Sequence, residues 1–144
     1  MARAKSEALF HRPVRGEGVP QDQAEVVRVY RLAAEQKHAD VQFHLGICYD
    51  SGLGVPQDQV EAVRLYRLAA EQKHAGAQFN LGICYRMGEG VPQDRAEAAR
   101  LFRLAAKQKH AGAQLNLGIC FERGEGVPQD QAEAARLYRL AAEQ

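Results

Sequence analysis

Gly88-Glu89-Gly90-Val91-Pro92-Gln93-Asp94 decides how this chain is read, because the pattern Gly-x-Gly-Val-Pro-Gln-Asp returns at Gly16–Asp22, Gly52–Asp58 and Gly124–Asp130. Each copy begins 36 residues after its predecessor. A fixed period of that length, sustained over most of the chain, marks a stacked-repeat architecture rather than a single closed core. Such an array builds an extended surface from one unit. An enzyme usually needs several different residues converging on one pocket.

Working outward from Asp94, the residues Arg95 to Gln108 are rich in Ala, Leu and Arg, all strong helix formers. Asp94 is an N-cap and Glu97, three residues on, completes a capping-box pattern; Asp22/Glu25, Asp58/Glu61 and Asp130/Glu133 repeat it. On a helical wheel Ala98, Leu101, Phe102, Ala105 and Ala106 share one face. Arg31–Glu35, Arg67–Glu71 and Arg139–Glu143 are one turn apart on the outer face, a pairing that Lys107 breaks opposite Arg103. This helix is B. The helix before it, A, covers residues 75–86, with Ala77, Leu81, Gly82 and Tyr85 inward and Cys84 on the flank. Gly82 recurs as Gly46 and Gly118, which predicts a helix crossing too close for a Cβ. Between B and A the left-handed residue that ends a helix falls on Lys37, Lys73 and Lys109 instead of Gly.

These residues resemble the Sel1-like repeat, a relative of the tetratricopeptide repeat: Ala77, Leu81-Gly82, Tyr85, Gly88-x-Gly90-Val91-Pro92-x-Asp94, Ala98, Phe102 and Ala105-Ala106-Lys107-Gln108. The resemblance implies an all-α, right-handed α/α solenoid of about three and a half Sel1-like helix pairs over residues 16–144. It also implies an adaptor for protein–protein complexes. Lys109 stands where the family usually has Gly, and Leu101 where it often has Trp. A cysteine-rich branch of the family staples each repeat with a disulfide. Ala33 and Ala34 stand where one of those cysteines is expected, so that chemistry does not carry over.

Residues 1–15 form a basic N-terminal segment in the slot of a degenerate first helix A, with Phe10, Arg12 and Pro13 at the Gly, Cys and Tyr positions. At the far end Leu137, Tyr138 and Ala141 are expected to face outward as an end-stacking surface, in a fragment of a longer protein or in a self-assembling, consensus-like module. The outward face of helix A is the candidate peptide groove. Phe43/Ile47, Phe79/Ile83 and Leu115/Ile119 form an apolar ladder, edged by His44, Asp50, Asn80, Arg86, Asn116 and Glu122. Family resemblance puts this face on the concave side. Packing between adjacent A helices is the alternative for the same Phe and Ile residues. Inter-repeat packing also accounts for the row Leu32, Leu68, Leu104 and Leu140.

Little in the chain suggests chemistry. Threonine is absent, Ser6 and Ser51 are the only serines, and an Asp at each helix start opposes a phosphate cradle. His38, His74 and His110 recur at the turns and read as caps on helix A. Cys48, Cys84 and Cys120 are ladder-related and too widely spaced to pair, so they read as free core thiols. A net charge of +1 and the lack of a long apolar run point away from nucleic acid and membrane insertion. The expectation is a non-enzymatic, cofactor-free and metal-free cytoplasmic scaffold for a protein or peptide partner, with homo-oligomerisation through repeat ends as a further option.

Overall fold

A computed structural model describes residues 21–35 and 38–144. The basic segment 1–15, the first Gly-x-Gly copy and Lys37 lie outside them. Among the described residues there are seven helices and no strand: α1 (Gln21–Ala34), α2 (Ala39–Ser51), α3 (Gln59–Glu71), α4 (Ala75–Met87), α5 (Arg95–Lys107), α6 (Ala111–Arg123) and α7 (Gln131–Ala142). Helices α1, α3, α5 and α7 are B-type; α2, α4 and α6 are A-type. Each helix packs on its sequence neighbours, most closely where an A helix meets the following B helix.

Local chemistry sets the boundaries. Asp58, Asp94 and Asp130 accept from the backbone N–H of Glu61, Glu97 and Glu133 at 3.1, 3.0 and 3.0 Å. The reciprocal half of the capping box is missing. The Asp N–H groups donate instead to Tyr49, Tyr85 and Phe121 carbonyls, at 2.8 Å each. The glutamates are thereby released to Arg64, Arg100 and Arg136, one turn further along. The expected i,i+4 pairing also yields, since Arg31 and Arg67 donate to Tyr49 Oη and Tyr85 Oη at 2.7 Å. Lys73 and Lys109 are left-handed, both at φ 66°, so the turn is made without glycine.

The helices touch through two close approaches. A Cβ on Gly82 would lie 2.7 Å from Cε1 of Phe102, and one on Gly46 would lie 2.7 Å from the same atom of Tyr66. The space that excludes a side chain is filled by an aromatic ring of the following B helix rather than by its backbone. The second glycine of each turn faces the preceding B helix: a Cβ on Gly54 would sit 2.7 Å from the Gln23 carbonyl oxygen, and Gly54 has φ 77°. The first approach locks the A helix on the B helix of its own repeat, and the second locks one repeat on the next.

Three apolar clusters follow one another along the array. The first joins Val27, Tyr30, Ala34, Leu45, Cys48 and Leu65; the second is built round Tyr66, Leu81 and Leu101, the third round Phe102, Leu117 and Leu137. Leu137 is therefore core, 3% exposed, and not an outward end residue. Tyr138 and Ala141 are half-buried, and the Tyr138 ring lies over Gly118 as Phe102 does over Gly82. The expectation of an outward end face fails for Leu137 because a B helix packs on the A helix before it, here on Leu117 and Cys120 of α6. The face left open on α7 carries Ala135, exposed where Val63 and Ala99 are buried.

A buried polar ladder runs through the same interfaces. Gln42, Gln78 and Gln114 are at most 4% exposed. Each donates to a carbonyl at the end of the preceding B helix: Ala34 at 3.1 Å, Ala70 at 3.4 Å and Ala106 at 3.3 Å. Each also accepts from Gln72, Gln108 or Gln144 at 2.6–2.8 Å. Burying an amide costs free energy unless both ends are bonded, and here both are.

Candidate interaction surface

The A helices present one stripe in register: His44, Asn80 and Asn116, then Ile47, Ile83 and Ile119, all half-buried. Phe43 and Ile47 pack against the second cluster, Phe79 and Ile83 against the third. The Phe43 ring centroid lies 4.6 Å from that of His74 and 6.1 Å from that of Tyr66. Phe79 repeats this with His110 at 4.7 Å and Phe102 at 5.9 Å. Much of each phenylalanine thus packs on the following B helix and on the histidine that opens the next A helix.

The third rung of the expected ladder, Leu115 and Ile119, differs from the first two. Ile119 joins none of the three apolar clusters, whereas Ile47 and Ile83 each pack against the cluster of the following repeat. Two rungs of the ladder, Phe43/Ile47 and Phe79/Ile83, pack against these clusters. Leu115, beside Ile119 on the same helix, is 47% exposed, and Met87, beside the stripe, is 61% exposed. His44 lies 5.4 Å from Phe43, ring to ring.

The histidines at the turns do cap. Nδ1 of His74 and of His110 accepts from the N–H of Ala77 and Ala113 at 3.0 Å, while His38 makes no such bond. His74 Nε2 also reaches Asp40 Oδ1 at 2.8 Å, across to the preceding A helix. Partial burial pushes the His110 imidazole down from its ordinary range.

The edge residues are bonded to one another across repeats. Tyr66 Oη donates to Asp50 Oδ2 at 3.0 Å, with Asn80 also in hydrogen-bonding reach. Burial first, then the Asp50 carboxylate, raises the Tyr66 hydroxyl. In the next repeat Phe102 replaces that tyrosine and Arg86 replaces the aspartate. Arg86 then reaches Asn116 Oδ1 at 2.9 Å and Glu125 at 3.6 Å. In the last, Tyr138 Oη points to Glu122 Oε2 at 3.4 Å. An acid faces each hydroxyl, and the cation stands where the hydroxyl is missing. The variation at Asp50, Arg86 and Glu122 therefore follows an internal partner.

Cys48, Cys84 and Cys120 are free and buried. Burial pushes the Cys48 and Cys84 thiols up to about 12, and Cys120 upward too. Among the described residues no group of three His, Cys, Asp or Glu side chains is placed to hold a metal. No described helix is long and apolar enough to cross a membrane.

Stacked helix pairs with capped starts, glycine-fixed turns and surface spread over several units define an α-helical repeat protein. The Sel1 repeat model matches residues 14–38, 39–74, 75–110 and 111–144. The chain belongs to the Sel1 repeat family, whose members are generally protein-interaction scaffolds and generally non-catalytic. It is similar to c5321, a protective antigen of uropathogenic Escherichia coli strains with an SLR fold, at 38% identity and a TM-score of 0.86, covering 100% of this chain and 31% of that one. It is also similar to a Sel1 repeat protein from Oxalobacter formigenes, at 34% identity and a TM-score of 0.82, covering 97% of this chain and 56% of that one. The chain thus spans about a third of the first relative and just over half of the second. No curated protein matches it.

Proposed function

We propose that this chain is a non-catalytic adaptor that holds a peptide or helix of a partner protein along the helix-A face. The observation that carries this reading is the in-register stripe, where half-buried isoleucines alternate with the amides of Asn80 and Asn116 and run out to exposed Leu115 and Met87. Apolar contacts edged by amides suit an amphipathic segment. Ile119, which no apolar cluster claims, keeps its side chain for that contact. The phenylalanines beneath give the stripe a rigid floor, and free buried thiols suit a reducing compartment such as the cytoplasm. Met87→Glu tests the surface with little risk to the fold. A partner recovered on immobilised wild type should be lost on this variant at unchanged melting temperature. Equal recovery would remove the A face from consideration.

A second reading is end-to-end stacking. Ala135 is open where its equivalent Val63 lies beneath the turn at Gly90, whose Cβ would approach Val63 Cγ2 to 2.9 Å. Another repeat or a second copy laid on α7 would bury it. Light scattering across a wide concentration range separates the readings: growth in mass that Ala135→Glu abolishes supports stacking, and a constant monomer mass rejects it.

A further inference from the structure

Three equivalent clefts open between successive B helices, with volumes of about 420, 390 and 300 Å³ from first to last. They lie away from the helix-A stripe, and their floors are leucines of the A helix and of the B helix after it, with an alanine of the B helix before it. Their rims are not equivalent. Arg31, Glu35, Glu61 and Arg64 edge the first, which balances. Arg67, Glu71, Lys73, Glu97 and Arg100 edge the second, leaving one cation in excess. Arg103, Lys107, Glu133 and Arg136 edge the third, leaving two.

In the third cleft both Glu133 oxygens are taken by Arg136 at 2.7 Å. That leaves Arg103, whose guanidinium lies 5.9 Å from the Phe121 ring centroid, and Lys107, one turn along α5, as neighbouring cations. Like charges at this spacing repel. Glu35 and Glu71 occupy the position of Lys107 in two other repeats, so among these three clefts the repulsion belongs to the third alone. Beneath the two cations lie Leu117, buried Leu137 and half-buried Leu140.

We propose that this third cleft docks an acidic segment of a protein partner, one that carries a leucine-sized apolar side chain between carboxylates. The apolar side chain enters over Leu117, Leu137 and Leu140. The flanking carboxylates meet Arg103 and Lys107 and relieve their repulsion. Charge sets the choice among three clefts of similar shape. The leucine floor selects a peptide over a nucleic acid, whose bases would need a stacking platform.

The probe is a fluorescein-labelled peptide, Glu-Asp-Leu-Glu-Asp-Leu-Glu, followed by fluorescence anisotropy with the full chain. Lys107→Glu restores the residue type of the other repeats and keeps the helix. It should weaken binding by about five- to tenfold, the effect of reversing one rim charge. Changing both leucines of the probe to serine should weaken binding similarly. Glu71→Lys should raise the stoichiometry from one peptide to two by making the second cleft cationic. Met87→Glu, on the A helices, should leave binding unchanged. The proposal is overturned if Lys107→Glu binds like wild type, if the serine probe binds as well as the leucine probe, or if oligothymidine displaces the probe as effectively as unlabelled peptide.

Discussion

Replacing Lys73 by glycine should stabilise the protein, although the substitution puts the weakest non-proline helix former next to a helix. Lys73 sits just past α3 at φ 66°, where a side chain crowds its own backbone. Holding a non-glycine residue there costs about 1–2 kcal/mol. Glycine removes that strain but adds freedom to the unfolded chain, which offsets about 0.4–1 kcal/mol. The difference is a gain of about 0.5–1 kcal/mol. For a chain of this length it should raise the melting temperature by about 2–4 °C. The hydrogen bond from Lys73 N–H to the Ala70 carbonyl, 2.9 Å, survives in the variant. Lys109 has the same φ in the next repeat, so Lys109→Gly should give a similar gain, and the two should add. Thermal unfolding followed by circular dichroism reads the effect. Lys73→Ala is the control, since it removes the ammonium and keeps the strained Cβ. If Lys73→Gly leaves the melting temperature unchanged or lowers it, or if Lys73→Ala raises it equally, the strain argument is wrong.

Further outcomes follow from the packing between helices and from the buried thiols. Gly82→Ala should lose up to about 2 kcal/mol, because overpacking the Phe102 ring outweighs the roughly 1 kcal/mol gained in helix propensity; urea unfolding measures it, and stabilisation would refute the ring contact. Gln78→Ala should cost about 1–3 kcal/mol by stranding Gln108 and the Ala70 carbonyl, and a double-mutant cycle with Gln108→Ala should show a coupling that non-interacting residues would lack. The buried thiols should resist Ellman's reagent at pH 8 until the chain unfolds, and rapid labelling of native protein would contradict their burial. Because folding raises the Cys48 and Cys84 thiols from an ordinary 9.0 to about 12, their stabilisation is complete below pH 9 and is lost as pH climbs toward 12. Unfolding midpoints measured from pH 8 to pH 11 should fall, and Cys84→Ala should flatten the decline.

The period of 36 residues was enough to read the helix order, the Asp caps and the left-handed lysines, since each depends on near neighbours in sequence, and the cysteines' recurrence marked them as core. What depends on the adjoining repeat was harder to read. Gln42, Gln78 and Gln114 look like surface amides on a single wheel, yet the recurrence of glutamine 30 residues further on, at 72, 108 and 144, is the trace of their ladder. Leu137 fell to the same error: a wheel sees one helix, and this residue is buried by the A helix before it.

The edge positions carry a sharper consequence for how a binding face is found in a repeat protein. Asp50, Arg86 and Glu122 differ among units that are otherwise nearly alike, and such variation invites a ligand as its explanation. Tyr66, Phe102 and Tyr138 change in step with them: Asp50 and Glu122 each face a tyrosine hydroxyl, and Arg86, opposite a phenylalanine, bonds Asn116 and Glu125 instead. Lys107 differs too, but its change from glutamate brings no new bonded acid with it; it places a second cation beside Arg103. Variation matched by an internal partner is satisfied within the fold. Variation that leaves charge unbalanced over an apolar floor is left to solvent or to a partner. By that criterion the third B-helix cleft carries a stronger mark of a ligand than the edge of the helix-A stripe, whose case rests on its exposed apolar residues. The two surfaces can be tested separately because Met87→Glu and Lys107→Glu each alter only one of them.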